Sequence, residues 1–144
     1  MSRALVIGIG VSSNGDDGAG PAVAANMRRI GLDVLVHDGQ GGDLSGLWLD
    51  YDRVVLISAT HSGTPAGTVR VFDGIAADLP EAAFPKSMAP DLVADLAKAR
   101  KAGRLPKLLA LVGIESGGRS GGELMSPEVE AAVPLAMAEV ERFL

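Results

Sequence analysis

The sequence predicts an α/β three-layer sandwich around a mostly parallel sheet. Short, continuously apolar segments rich in β-branched residues alternate along the chain with segments of helical spacing. The apolar segments are typical of strands that are buried on both faces, and the alternation is typical of a sheet covered by helices. A chain of 144 residues can bury a core of its own, so we expect one domain over residues 1–144.

The first half of the chain begins with a strand, a loop and a helix. Residues 4–9 (ALVIGI) form a buried strand. The helix is predicted over residues 20–31, with Pro21 at its first position and Gly31 at its end. The next elements are a strand over 32–39, a short helix over 43–50 and a strand over 52–59.

The second half adds two strands and two helices. Residues 67–74 alternate in polarity and predict an edge strand, and residues 107–115 predict another buried strand. A helix over 90–103 carries basic residues in its last turn, where the helix dipole favours them. The last helix, over 126–144, begins with Ser126 as N-cap and Pro127 at its first position.

The composition narrows the range of partners. The chain has 13 Lys and Arg against 18 Asp and Glu, a net charge of −5, and no basic run, so we expect no nucleic-acid partner. It has no cysteine, which fits a reducing compartment, and we expect the cytoplasm. The apolar run near the N-terminus is too short to span a bilayer, and we predict neither an export signal nor a membrane anchor.

In sheets of this kind ligands bind beyond the carboxyl ends of the strands, where the chain reverses direction. The loops there are GVSSNGDDGAG after the first strand and THSGTPAG after the third. These loops contain Asp16, Asp17 and His61, which are therefore the candidate functional residues.

The glycines of the first loop do not form a nucleotide-binding motif. A dinucleotide fingerprint needs a third glycine where Ser13 stands, and a P-loop needs Lys where Ala19 follows Gly18. Two carboxylates would also repel a pyrophosphate, whereas they suit a metal ion or a proton transfer.

Ordinary structural roles remain open for each candidate. Asp16 and Asp17 stand near the start of a helix and are suited to cap it, although one Asp suffices for that. His61 has a second interpretation as a surface histidine, and His37 is interpreted as structural or peripheral. Met88, taken alone, is a partly buried loop residue.

Four segments stand in the order ALVIGIG, NGDDGAGPAVA, HDGQGGDLSGLWLDYDRVVLISATHSGTPAGTVRVF and AGRLPKLLALVGIE. In this order they resemble the hydrogenase maturation endopeptidases, which trim the C-terminus of the nickel-iron hydrogenase large subunit after nickel insertion, and the resemblance extends over nearly the whole chain. The resemblance implies one domain of that family, with a five-stranded mixed sheet that has one antiparallel edge strand. It also implies an endopeptidase whose nickel is supplied by the substrate, a large-subunit precursor.

The resemblance further implies three side chains that approach the nickel. The first is the second acid of the Asp pair, here Asp17. The second is an acid after the third strand, for which this chain offers Ser58 and His61, and imidazole is a sound nickel ligand. The third is a histidine whose position falls on Met88, and Val11 stands where the family has Asn.

An active enzyme of this kind is expected to use Asp16 or Asp17 to orient or deprotonate a water, because the chain has no Cys and no G-x-S-x-G motif. The alternative is a non-catalytic relative that recognises the large subunit without cutting it. An unrelated enzyme acting on a small ligand in the same crevice is a third interpretation. We expect the protein to be a monomer.

Overall fold

A computed structural model describes residues 3–29, 31–38, 44–75, 92–119 and 124–144. Its sheet has five strands, close to the five predicted from the sequence. They are β1 (Ala4–Ile9), β2 (Asp33–His37), β3 (Arg53–Thr60), β4 (Val69–Asp73) and β5 (Leu108–Glu115).

The sheet is mixed, with the strand order β2-β1-β3-β5-β4. β1 runs parallel to β2 and β3, and β3 runs parallel to β5. β4 lies at one edge and pairs antiparallel with β5. The five-stranded mixed sheet with one antiparallel edge strand is thus confirmed.

Helices cover both faces of the sheet. They are α1 (Ala19–Asn26), α2 (Leu92–Lys101) and α3 (Pro127–Glu141). α1 and α3 pack on one face, where Val23 and Val129 contribute to a buried cluster with Val6 of β1. α2 packs on the other face, where Leu96 joins a cluster with Leu5. The structure is therefore a three-layer α/β/α sandwich, as predicted.

Two glycines let α1 approach the sheet closely. Gly8 faces α1 from the middle of β1, and a Cβ added there would lie 2.4 Å from the carbonyl oxygen of Gly20. A Cβ at Gly20 would lie 2.4 Å from the carbonyl oxygen of Ile57 in β3. These glycines of the opening motif thus serve close packing of helix on sheet.

Two elements differ in extent or type from the prediction. α1 ends at Asn26, although the pattern extends to Gly31, and Arg29 instead forms an isolated bridge with Leu32 just before β2. The predicted short helix over 43–50 is a single 3-10 turn at Leu44–Leu47. Its Leu44 and the following Trp48 are nevertheless buried against the α2 face.

The sheet order brings three loops together. From β1 the chain moves to β2 on one side and then crosses to β3 on the other, so β1 and β3 flank the point of reversal. β5 lies next to β3 and runs parallel to it. The loops that follow β1, β3 and β5 consequently leave the same edge of the sheet side by side.

Candidate active site

Asp16 and Asp17 lie in a 3-10 turn, Gly15–Gly18, between β1 and α1. Both side chains point into the protein, with Asp16 0% and Asp17 6% exposed. No side-chain hydrogen bond caps the start of the turn or of α1, so the predicted capping bond from the Asp pair is absent. Both acids do lie in the first turn of the 3-10 helix, and a contribution to the helix dipole stays a prediction.

Asp16 joins the first loop to the loop after β5. Its Oδ2 accepts hydrogen bonds from the Gly117 amide at 2.8 Å and the Arg119 amide at 3.1 Å. The Ser126 amide donates to Oδ1 at 2.6 Å, and the Ser126 hydroxyl donates to Oδ2 at 2.7 Å. Burial raises the pKa of Asp16, but these hydrogen bonds outweigh it and hold the pKa below its ordinary value of 3.8.

Ser126 occupies the predicted N-cap position of α3, and Pro127 begins the helix. The predicted capping bond is absent, and the Ser126 hydroxyl instead donates to Asp16. The start of α3 is therefore fastened to the first loop.

The Asp17 carboxylate, unlike that of Asp16, is incompletely paired. Its Oδ2 accepts a hydrogen bond from the Asn14 side-chain amide at 3.0 Å. Its Oδ1 is buried and has no hydrogen-bond partner among the described residues. Burial raises the pKa of Asp17 above its ordinary value of 3.8, against the opposing effects of Asn14, the Val11 amide and the charge of His61. An incompletely paired carboxylate in such a place is a candidate for binding a cation or accepting a proton.

His61 follows β3 and is exposed. Its charge lowers the pKa of Asp17, so the two predicted residues lie close enough to interact electrostatically across the first two loops. Ser58, the other residue offered in this segment, is 2% exposed and donates its hydroxyl to the Ala59 carbonyl. Of the two, His61 is the side chain that reaches the surface of the crevice.

Of the two remaining predicted residues, the structure describes Val11 but not Met88. Val11 lies at the start of the first loop and is 41% exposed. Met88 lies outside the described residues.

Glu115 is a candidate site residue that the sequence analysis did not identify. It ends β5 and is 3% exposed, yet its carboxylate accepts hydrogen bonds from Thr60, Ser62 and Gly63 of the second loop. Burial raises the pKa of Glu115, but the hydrogen bonds outweigh it and hold the pKa below its ordinary value of 4.5. The available signal was a lone acid at the end of a continuously apolar strand.

The first loop also borders an open groove of about 1010 Å³ between α1 and α3. Ser12, Ser13 and Gly15 form its end nearest Asp17. Its walls are largely apolar and include Val133, Pro134 and Met137 of α3.

Within the described ranges, no group of three or more His, Asp or Glu side chains is arranged to hold a metal ion. In the same part of the chain, none of the helices has the length and apolar character needed to cross a membrane.

No protein-family model matches the sequence, and no curated protein matches it. Solved structures do match it. A hydrogenase 2 maturation peptidase from a Thaumarchaeota archaeon is 26% identical, with a TM-score of 0.66 over 98% of this chain and 97% of that one. A [NiFe] hydrogenase maturation protease from Thermococcus kodakarensis is 23% identical, with a TM-score of 0.72 over 97% of both chains. A hydrogenase maturating endopeptidase from E. coli is 20% identical, with a TM-score of 0.73 over 96% of this chain and 89% of that one. Over nearly its whole length, the chain therefore has the fold of the hydrogenase maturation endopeptidases.

Proposed function

We propose that this protein is a member of that family: an endopeptidase that removes the C-terminal extension of a nickel-iron hydrogenase large-subunit precursor. The observation that carries the proposal is the buried Asp17 carboxylate, whose Oδ1 has no partner among the described residues. A buried anion with an unpaired oxygen is costly to keep unless a cation or a proton joins it during function. It lies in a fold shared with maturation endopeptidases.

The nickel in this proposal belongs to the substrate. Carboxylate and imidazole are both suitable nickel ligands, and Asp17 and His61 interact across the crevice. Two side chains of one protein make a weak metal site on their own. The precursor therefore brings the metal already bound, and Asp17 with His61 recognises it.

The two acids have different roles in the proposed reaction. Asp16 is committed to hydrogen bonds that hold the loop, whereas Asp17 has a raised pKa and a free oxygen. A carboxyl whose pKa rises toward the working pH is a better general base. A water beside Oδ1 of Asp17 gives up its proton to that oxygen and attacks the scissile carbonyl, and the proton then passes to the leaving amine.

We place the polypeptide substrate in the open, largely apolar groove beside the first loop. We place the protein in the cytoplasm as a monomer, the simplest arrangement for a protease that must reach a folded precursor.

A second candidate function is recognition of the large subunit without cleavage. It is favoured by Val11, an exposed apolar side chain where the resembled family has Asn, and by Met88 where that family has histidine. A thioether cannot transfer a proton and is a poor ligand for nickel(II).

Intact-mass analysis of a nickel-loaded precursor separates the two functions. The precursor is incubated with the wild-type protein and with the Asp17→Asn and His61→Ala variants. Asp50→Asn serves as a matched control, because Asp50 is an exposed carboxylate just before β3, at the opposite end of that strand from His61. A pull-down of the precursor by each variant is measured in parallel.

We expect loss of a C-terminal peptide that requires nickel and Asp17 and that the Asp50→Asn variant retains. Capture of the precursor with no change in its mass would establish the binding function instead. Neither capture nor cleavage of any nickel-loaded precursor would overturn both.

A further inference from the structure

The Glu115 carboxylate accepts hydrogen bonds from the last residue of β3 and from the loop that follows it. The Ser62 amide donates to Oε2 at 2.8 Å and the Gly63 amide donates to the same oxygen at 3.2 Å. The Ser62 hydroxyl donates to Oε1 at 2.7 Å, and the Thr60 hydroxyl donates to Oε1 at 2.9 Å. Successive amides with Gly63 at a φ of +85° form a concave anion-binding nest, and the buried carboxylate fills it.

These contacts lie on both sides of His61. Thr60 precedes it, and Ser62 and Gly63 follow it. Within the described part of the chain the His61 imidazole itself makes no hydrogen bond, so its position depends on the backbone on either side. The Glu115 carboxylate accepts hydrogen bonds from the two backbone amides that follow His61 and from the Thr60 hydroxyl that precedes it. The Ser116 amide also donates to the Thr60 carbonyl, at 2.9 Å.

The same short segment also holds the first loop. Gly117 and Arg119, two and four residues after Glu115, donate their amides to Asp16. Asp16 is adjacent to Asp17, and Glu115 holds the residues adjacent to His61. The segment 115–119 is thus hydrogen-bonded to both loops. The bonds to the second loop are made by the Glu115 carboxylate and those to the first loop by the Asp16 carboxylate.

We propose that Glu115 is a positioning residue that fixes His61 opposite Asp17 by holding residues 60–63 against the end of β5. Its effect on cleavage rests on the proposed function, whereas its effect on the loop does not. A carboxylate suits this task because it accepts from several donors at once, and charge-assisted hydrogen bonds are about twice as strong as neutral ones.

The test compares Glu115→Gln with the matched control Glu128→Gln, which removes the same charge from an exposed site on α3. A glutamine side chain keeps one acceptor but turns its amide group toward the loop donors, so the loop loses bonds without loss of side-chain volume. Ser62→Ala is a milder variant, for use if Glu115→Gln does not fold. It removes the 2.7 Å hydroxyl bond to Glu115 together with the longer hydrogen bonds of the same hydroxyl to Thr64, at 3.2 Å, and Arg70, at 3.3 Å.

The first readout is nuclear magnetic resonance of the protein alone. The chain contains two histidines, so the ring signals of His61 are compared directly with those of His37. We expect Glu115→Gln to speed amide exchange at Ser62 and Gly63 by about tenfold and to shift or broaden the His61 signals. His37 and the β5 amides should not change, and Ser62→Ala should act in the same direction by about threefold.

The second readout is precursor cleavage. We expect Glu115→Gln to lower kcat by about tenfold with little change in KM. A displaced His61 would disturb the geometry of the reacting groups more than it would weaken binding of the precursor. Unchanged Ser62 and Gly63 exchange with unchanged His61 signals would refute the positioning role. A loosened loop with normal kcat would refute its catalytic consequence. If the wild-type protein cleaves no precursor, the proposed function fails while the resonance measurements still decide the position of His61.

Discussion

Asp16 and Asp17 are neighbours in the chain, but their carboxyl groups lie in opposite environments. Both oxygens of Asp16 accept hydrogen bonds from Ser126, whereas Oδ1 of Asp17 has no partner among the described residues. The pKa of Asp16 is accordingly lowered and that of Asp17 is raised. One acid of the pair therefore supports the fold, and the other is left available for chemistry.

Asp17→Asn should stabilise the folded protein. Burial raises the pKa of Asp17 because the fold disfavours its ionised carboxylate, and a neutral amide of the same shape avoids that cost. We expect a gain of about 1 kcal/mol and a rise in Tm of about 2–4 °C, measured by thermal unfolding at pH 7. The same variant should lose cleavage, and a lower Tm would contradict the view of Asp17 as a strained functional group.

Asp16→Asn should have the opposite effect. An asparagine presents an amide group to donors that the carboxylate accepts, so at least one donor among Ser126, Gly117 and Arg119 is left without an acceptor. We expect a loss of about 2–4 kcal/mol in the free energy of unfolding, measured from urea transitions. Ser126→Ala keeps the hydrogen bond from the residue 126 amide to Asp16 and loses only the one from the hydroxyl. We therefore expect this variant to lose about 1 kcal/mol in the free energy of unfolding.

The stability of the protein should fall in acid because of Asp16 and Glu115. A carboxyl whose pKa is lower in the folded state adds stability that is complete above its ordinary pKa and is lost as the pH falls through the folded value. The ordinary values are 3.8 and 4.5, so the loss begins below about pH 5 and continues below 3.8. Urea midpoints measured from pH 7 to pH 2.5 test this expectation. Glu115→Gln should have a shallower decline than the wild type, and an equal slope would show that Glu115 does not contribute.

The central strands were predictable because a parallel strand buried on both faces is a continuous apolar run. β1, β3 and β5 lie within a residue or so of their predicted bounds. Helix ends were less predictable, since α1 stops at Asn26 although Met27 continues its apolar spacing and is buried. The turn at Leu44–Leu47 is apolar but too short for its spacing to distinguish an α-helix from a 3-10 turn.

The position of the candidate site could be predicted from the sequence, but the hydrogen-bond partners of its carboxylates could not. Topology alone placed Asp17 and His61 at the carboxyl ends of β1 and β3. The hydrogen bonds that separate Asp16 from Asp17 join residues about a hundred positions apart, and no local pattern reveals them. Glu115 meets Ser62 across 53 positions for the same reason.

Gly8→Ala should disrupt the packing of α1 against the sheet. The added Cβ would lie 2.4 Å from the Gly20 carbonyl oxygen and 2.8 Å from the Ala24 Cβ, so the helix or the strand has to move. We expect a loss of about 1–3 kcal/mol in the free energy of unfolding and a weakened site, because α1 begins directly after Asp17 and the 3-10 turn.

Gly103→Ala is a useful comparison for that variant. Gly103 has a φ of +69° but no neighbour within 4 Å of an added Cβ, so its replacement adds backbone strain without overpacking. We expect a loss of about 1 kcal/mol with cleavage unchanged. Similar losses of cleavage in both variants would argue against a link between α1 packing and the site.

His61→Asp should keep cleavage activity that His61→Ala loses. The segment after the third strand carries an acid in the resembled family, and the loop here is held by Glu115 through Ser62 and Gly63, whose backbone amides do not depend on residue 61. A carboxylate at this position can therefore face the precursor's nickel beside Asp17, whereas alanine supplies no ligand. We expect Ala to lower kcat/KM by about tenfold or more and Asp to remain within about threefold of the wild type, measured by precursor mass analysis. Equal loss in both variants, with Ser62 exchange unchanged, would mean that the imidazole has a role other than metal contact, and equal retention would remove His61 from the site.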